Sequence, residues 1–195
     1  KPDIHVKGKK VTSVADEPLL RPGVNAVAVT YELAHVKEHE DVMLATLENG
    51  NKVNRMNALD YSVDDLLKKL EATRLICKWT GCGQRYLMHD ALSALNEITA
   101  MVDEDKKTEY FPRLQQYIEH VQVNDLTCGV AVTDAKGDRS KRPHEQLDPD
   151  YYVHVVERND KGIIVRGAKA NITGAPYMHE LIVLPTRTMK KDDAD

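Results

Sequence analysis

Long apolar runs are missing from this sequence. The longest, VNAVAV from Val24 to Val29, already contains Asn25 and falls far short of the ~20 residues that span a bilayer. No apolar core of a signal peptide opens the chain, so neither a membrane anchor nor a secretion signal is expected. Cysteine is sparse as well, with three in 195 residues. An odd and small number cannot build a disulfide scaffold, so free thiols and a reducing, cytoplasmic setting are expected. Nor does one sign of charge dominate: 27 Lys and Arg are scattered among 31 Asp and Glu, for a net charge of -4. Without a basic face to follow a phosphate backbone, nucleic acid is not an expected partner. Internal repeats and low-complexity segments are absent too.

What is present is enough apolar material, 42% of the residues, to bury one good-sized core or two smaller ones. The chain starts without Met, and KKDDAD follows directly on an apolar, strand-like run. A continuation beyond these residues is therefore expected.

In the first 50 residues, LLRPGVNAVAVTYELA carries a Pro22-Gly23 turn and then an apolar segment that fits either helix or strand. Ser62 followed by Asp65 forms a capping box, and Asp64 and Asp65 suit the positive end of a helix, so one should begin there. Val63, Leu66, Leu67, Leu70, Thr73 and Cys77 recur at helical spacing, which predicts a buried stripe that includes Cys77. Gly81 and Gly83 interrupt it. From about Gln84, Leu87, Ala91, Leu92, Leu95, Ile98 and Val102 predict a second helix. After the turn DEDKKTE, a third is predicted from Phe111, Leu114, Tyr117, Ile118 and Val121. Beyond Asn124 the period shortens: CGVAVT, YYVHVVE, KGIIVRGAKA and HELIVLP read as strands, with RNDKG as a hairpin turn and Gly162 at positive φ. The expected fold is α+β, a helical domain over residues 1–124 followed by part of an antiparallel β-domain over 125–195. The polar loop DAKGDRSKRPHEQLDPD is long enough that connection and ligand contact both stay open.

Several patterns suggest chemistry. GCGQRY lacks the third glycine and the preceding strand of a dinucleotide fingerprint. His35 and His39 lie at i and i+4, but no third ligand stands at a recognisable spacing, so solvated histidines are expected. Cys77 reads as a small buried hydrophobe and Cys128 as core. Cys82 sits between two glycines at the expected N-terminal end of a helix, where the dipole favours the thiolate that a metal or cluster needs.

Taken together, RPGVNAVAVTYELA, NGNKVNRMNALDYSVDDLLKKLEATRL, TGCGQRYLMHDA, VNDLTCGVAVTDAKGDRSKRPHEQLDPD and VHVVERNDKGIIVRGAKANITGAPYMHELIVLPT resemble, in unbroken order, one family of flavin enzymes. It comprises 4-hydroxyphenylacetate 3-monooxygenase and 4-hydroxybutyryl-CoA dehydratase. TYELA, KVNR and TDAKGDR bring the chain nearer the dehydratase branch. The resemblance implies an acyl-CoA-dehydrogenase-like architecture: an N-terminal helical domain, a middle β-domain in which this chain stops, and a C-terminal helical bundle outside it. It also implies FAD as cofactor and a homo-oligomer, a tetramer, or else a companion chain that supplies the bundle.

Residue by residue, Thr173 in ANITGAP matches a flavin-contacting threonine, and the loop from Thr133 and Asp134 through Arg139 matches a segment facing flavin and substrate. Asp134 stands where the monooxygenases carry histidine. In the dehydratase, two cysteines of the segment matching TGCGQRYLMHDA bind a 4Fe-4S cluster. Cys82 matches the first, but Tyr86 occupies the second position, and a phenol oxygen substitutes poorly for a soft thiolate. Tyr86 instead matches the tyrosine with which the monooxygenases engage a phenol, while Cys82 falls where they carry arginine. Cys82 and Tyr86, four residues apart, are expected on one helix face.

The resemblance thus implies a flavin-dependent lyase or isomerase acting on a short acyl-CoA. The alternatives are the oxygenase component of a two-component monooxygenase acting on a phenol, or a truncated, non-catalytic family member.

Overall fold

The segment that fits either helix or strand by its pattern is a helix. In the computed structural model, which describes residues 2–193, a short hairpin of β1 (His5–Val6) and β2 (Lys9–Lys10) comes first. Helix α1 follows over Arg21–Glu32. Pro22 falls in its first turn, where the missing N–H leaves no bond unmade. A single helical turn, α2 (Glu40–Met43), leads into β3 (Leu44–Thr46), which pairs antiparallel with β4 (Lys52–Asn54). Three longer helices come next: α3 (Val63–Thr80), α4 (Tyr86–Lys106) and α5 (Tyr110–Val123).

Helix α3 starts where its cap predicts. The Ser62 hydroxyl accepts the Asp65 amide at 3.2 Å, while Asp65 reaches back to the Tyr61 amide at 3.1 Å and the Ser62 hydroxyl at 2.8 Å. Its buried face, however, is not the expected one. Val63, Leu66, Leu67 and Leu70 are exposed and so is Cys77, whereas Lys69, Ala72 and Ile76 are buried. Both sets recur at helical spacing, and spacing alone does not say which of them meets this core. Ala72 and Ile76 pack with Leu33, Met43 and Met56. Lys69 accompanies them because two carboxylates reach its ammonium group.

Helix α5 buries Ile118 and Val121 as its pattern predicts. Asp103, near the end of α4, accepts the amides of Tyr110 and Phe111 at 2.9 and 2.7 Å. This ties the charged turn to the start of α5.

The strands after Asn124 are β5 (Cys128–Ala131), β6 (His154–Asn159), β7 (Gly162–Arg166) and β8 (Glu180–Val183). Strands β5 and β8 share one two-stranded sheet, and β6 and β7 form an antiparallel hairpin. Gly162 has φ +133° at the hairpin turn, as expected of its position. The chain is therefore a mixed helix-and-sheet protein. It divides into a unit running to Gly129 together with Gly174–Glu180, and a second unit of Val130–Thr173 with the segment from Leu181 onward. Among the described residues no helix is long and apolar enough to cross a membrane.

Candidate functional site

The connection between α3 and α4 carries the residues that the sequence singles out. Gly81 takes the left-handed conformation, φ +69°, and its amide bonds the Cys77 carbonyl at 2.9 Å, ending α3. Such a C-terminal cap favours glycine because no Cβ is strained. Cys82 is then held by Thr80, whose hydroxyl accepts the Cys82 amide at 3.2 Å and lies 2.7 Å from its carbonyl. Helix α4 begins only at Tyr86, with Arg85 as its N-cap. Cys82 is thus exposed in the linker and not within the first helical turn. The expectation that Cys82 and Tyr86 share a helix face is corrected accordingly: α3 ends at the left-handed Gly81 before Cys82, and the left-handed Arg85 separates Cys82 from the helix that begins at Tyr86. Cys77 is exposed on the last turn of α3, while Cys128 is buried, where burial pushes its thiol pKa up.

Arg85 is the centre of a buried network. Its side chain is wholly enclosed and its backbone has φ +65°, a region that non-glycine residues rarely occupy. The guanidinium donates to Asn57 Oδ1 at 2.7 Å, Asp125 Oδ1 at 2.5 Å and the Leu126 carbonyl at 3.2 Å. It also lies 4.6 Å from the centre of the Tyr31 ring, within the range of a cation–π contact. Asn57 donates in turn to the same Asp125 oxygen at 2.9 Å. Arg85 Nε has no hydrogen-bond partner among the described residues.

A second network flanks Tyr86. Lys69 Nζ stands 3.0 Å from both Asp60 Oδ2 and Asp90 Oδ1, and 5.7 Å from the centre of the Tyr86 ring. Burial works against the Lys69 ammonium ion, but the two carboxylates outweigh it, so its pKa is raised and it stays charged. Asp60 also meets His89 Nε2 at 2.8 Å. His89 is fully buried, and its Nδ1 has no partner among the described residues.

In the second unit, Asp134 is 4% exposed and fully engaged. Its Oδ1 pairs with Lys169 Nζ at 2.6 Å and its Oδ2 with the Thr186 hydroxyl at 2.6 Å. Burial alone would raise the carboxyl pKa, but Lys169, Thr186 and the Val153 amide overcome it and hold it below its ordinary value. Lys169 also donates to the carbonyls of Val132 and Leu184 at 2.8 and 2.7 Å. Thr133 is half-buried, and its carbonyl accepts the Ala170 amide at 2.8 Å. Arg139 and Thr173 are exposed, and neither side chain has a partner among the described residues.

The polar loop is held by its own Gln146 and by Asp193 near the end of the chain. Gln146 accepts the Asp138 amide at 3.0 Å and donates to its carbonyl at 2.8 Å. Asp193 clamps both Arg142 and His144.

The structure places Cys82 in the α3–α4 linker and Tyr86 at the first residue of α4, and Thr133, Asp134, Arg139 and Thr173 within the second unit. For flavin, Thr173 and Arg139 offer uncommitted polar groups of a suitable kind, whereas the Asp134 carboxylate is already occupied. For a cluster, Cys82 offers one thiolate and Tyr86 a hard phenol oxygen. No group of three or more His, Cys, Asp or Glu side chains that could hold a metal occurs among the described residues. The residues present do not by themselves fit an iron–sulfur cluster.

His35 and His39 lie on two separate 3-10 turns, so the helix face on which they could share a metal is not formed. Sequence reasoning missed Asp60, Lys69, Arg85, His89 and Lys169. The only sequence signal was charge within otherwise apolar stretches, as at His89 and Asp90, and such charge ordinarily marks a solvated face.

The family described as 4-hydroxyphenylacetate 3-hydroxylase N terminal matches residues 1–195. The 4-hydroxybutyryl-CoA dehydratase/vinylacetyl-CoA-Δ-isomerase of Clostridium aminobutyricum is 40% identical over 195 residues, covering 98% of this chain and 40% of that protein. The 4-hydroxyphenylacetate 3-monooxygenase oxygenase component of Thermus thermophilus is 28% identical, over 97% of this chain and 38% of that one. Among solved structures, an oxygen-tolerant archaeal 4-hydroxybutyryl-CoA dehydratase from N. maritimus superposes with a TM-score of 0.91 at 38% identity, over 97% of this chain and 38% of its own. A 4-hydroxyphenylacetate 3-monooxygenase oxygenase component complexed with FAD superposes with a TM-score of 0.73 at 25% identity, over 94% and 38%. This chain therefore spans about two fifths of the length of these relatives.

Proposed function

The chain belongs to the 4-hydroxyphenylacetate 3-hydroxylase family, whose N-terminal region it matches, and from that premise we propose that it is the N-terminal part of a flavin-dependent lyase or isomerase acting on a short acyl-CoA. The observation that carries this reading is the gap between the two branches: 40% identity to the dehydratase/isomerase of C. aminobutyricum against 28% to the monooxygenase component of T. thermophilus. TM-scores of 0.91 and 0.73 run in the same direction. In this reading residues 1–124 and 125–195 are the helical domain and the start of the middle β-domain of an acyl-CoA-dehydrogenase-like enzyme. The C-terminal bundle lies outside this chain, and the whole assembles as a homotetramer in the cytoplasm.

FAD is the proposed cofactor, supported by the FAD complex of the monooxygenase relative. Bound flavin supplies reversible electron acceptance. This chain's share is to bind and orient. Thr173 and Arg139 contribute polar contacts to the flavin. Thr133 lines the same loop, whose course is fixed by the Asp134–Lys169 pair. Cys82 faces the substrate from the α3–α4 linker and Tyr86 from the start of α4. Moving a double bond asks for a base and a flavin environment, and does not ask Cys82 and Tyr86 to hold a Lewis acid. Of the two reactions in the C. aminobutyricum relative's name, isomerisation is therefore the one this linker supports better.

One observation favours the monooxygenase reading: Tyr86, a phenol that can meet a phenolic substrate, opens α4. The test is turnover by the full-length protein, purified anaerobically with FAD. Conversion of vinylacetyl-CoA to crotonyl-CoA supports the proposal. Hydroxylation of 4-hydroxyphenylacetate with reduced flavin and oxygen, and no acyl-CoA turnover, refutes it. If neither substrate turns over, and FAD leaves the melting temperature unchanged, the non-catalytic alternative stands, because a ligand of the folded state raises stability.

A further inference from the structure

We propose that Arg85 and Lys69 are positioning residues for Tyr86, Arg85 by fixing the main chain on which it stands and Lys69 by fixing its ring. This rests on the reading above that Tyr86 faces the substrate. Two separate observations carry it.

The first is backbone strain at a buried anchor. A non-glycine residue at φ +65° is held against backbone strain, and persists only where its surroundings over-determine it. Here the surroundings are named: Asn57, Asp125 and the Leu126 carbonyl take the guanidinium, and Tyr31 covers one face. A relaxed, extended or helical Arg85 would start α4 in another direction. It would turn Tyr86, the first residue of that helix, with it.

The second is a buried cation whose place a core alone does not explain. Lys69 is 7% exposed on a helix that leaves Leu66, Leu67 and Leu70 in the open. Asp60 and Asp90 each hold its ammonium at 3.0 Å, and His89 holds Asp60. Thus fixed, the ammonium lies 5.7 Å from the Tyr86 ring centre, where attraction to the ring face restricts the side chain's rotation. Asp90, on the first turns of α4, closes the frame between the two helices. Backbone and ring are therefore held from independent directions.

The test uses the full-length, FAD-loaded protein with 3-fluorotyrosine placed at position 86, read by fluorine NMR alongside kinetics with vinylacetyl-CoA. One narrow resonance is expected for the parent protein. Lys69→Met should shift or broaden it and raise KM about tenfold while kcat stays within about twofold, because binding geometry and not chemistry is disturbed. Lys69→Arg, which keeps a cation over the ring, should recover both. Arg85→Gly tolerates the left-handed backbone but loses the anchor, and should give a second, broader resonance. Should Lys69→Met not fold, Asp90→Asn releases one of the two holds on Lys69 at a half-exposed position and should broaden the line. A fluorine spectrum unchanged in the folded Lys69 and Arg85 variants overturns the proposal. Unchanged kinetics in Tyr86→Phe would instead overturn the reading that Tyr86 meets the substrate, so the two failures are distinct.

Discussion

Arg85 in the first unit, wholly enclosed, and Lys169 in the second, largely enclosed, are both cations facing a carboxylate, and they are built in opposite ways. Lys169 has three acceptors, Asp134, Val132 and Leu184, within 2.8 Å. An ammonium has three donors, so the site is complete. Arg85 sits on a strained backbone, shares one oxygen of a half-exposed Asp125 with Asn57, and leaves Nε without a partner among the described residues. The complete site behaves as a lock that fixes the course of the loop around Thr133. The incomplete one holds the start of a helix in a conformation that it would not otherwise keep. The difference suggests where each unit contributes: through exposed groups around a rigid lock in the second, through a tensioned linker in the first.

The largest expected effect breaks the Arg85 side. Asp125→Ala leaves a fully enclosed guanidinium without its carboxylate, and should destabilise the protein by about 4 kcal/mol in urea unfolding, as leaving a buried charge uncompensated does. A loss under about 1 kcal/mol would mean that Asn57 and the Leu126 carbonyl suffice, and the comparison would fail.

Lys169→Met tests the lock. Removing the ammonium strands Asp134 at 4% exposure, with an expected loss of about 3 kcal/mol at neutral pH. The pH dependence has a definite sign. The Asp134 carboxyl is held below its ordinary value of 3.8, so in the unfolded chain it binds protons first as the solution is acidified. Its contribution is fully present above 3.8 and is lost as pH falls from there through the lowered folded value. In Lys169→Met this acid-side loss should shrink, as unfolding midpoints measured from pH 5 to pH 2 will show.

Gly137 ranks next. Its φ is +51°, and an added Cβ would run into the Tyr151 ring and the Gln146 amide. Gly137→Ala should therefore cost about 2 kcal/mol by thermal unfolding, from backbone strain and the displaced ring together.

How much of this was legible in the sequence follows from the same physics. Ser62 announced α3 because a cap is local, and Gly162 announced its hairpin turn for the same reason. Ile118 and Val121 were readable because α5 has a single apolar face. Helix α3 has two faces at helical spacing, and the choice between them was made by Asp60 and Asp90, one before the helix and one on the next. No pattern within residues 63–80 contains that information. Cys77 therefore read as buried and is exposed, while Lys69, which no pattern singles out, is buried. At Cys82 the expected helix face is not formed, because a left-handed arginine is invisible to periodicity. Asp134 was singled out by resemblance, and its ion pair with Lys169 depends on a residue 35 positions away.

The smallest effect on stability gives the sharpest test of the second unit. Arg139 and Thr173 are exposed and have no side-chain partner among the described residues. Arg139→Ala and Thr173→Val should each change unfolding free energy by less than about 0.5 kcal/mol, as surface substitutions away from packed features do. If these groups meet the flavin, each should nonetheless weaken FAD binding by the full-length protein about tenfold, near the 1.4 kcal/mol expected of one polar contact, measured by flavin fluorescence. Thr186→Val bears on the other half of the comparison, because it removes the hydroxyl 2.6 Å from Asp134 and touches no exposed group. It should lower stability by about 1 kcal/mol and leave FAD affinity nearly unchanged. A lock that fixes the loop and a surface that binds the ligand are separate only if these two pairs of measurements move independently. If Thr186→Val weakens FAD as much as Arg139→Ala does, the loop around Asp134 is itself part of the binding surface.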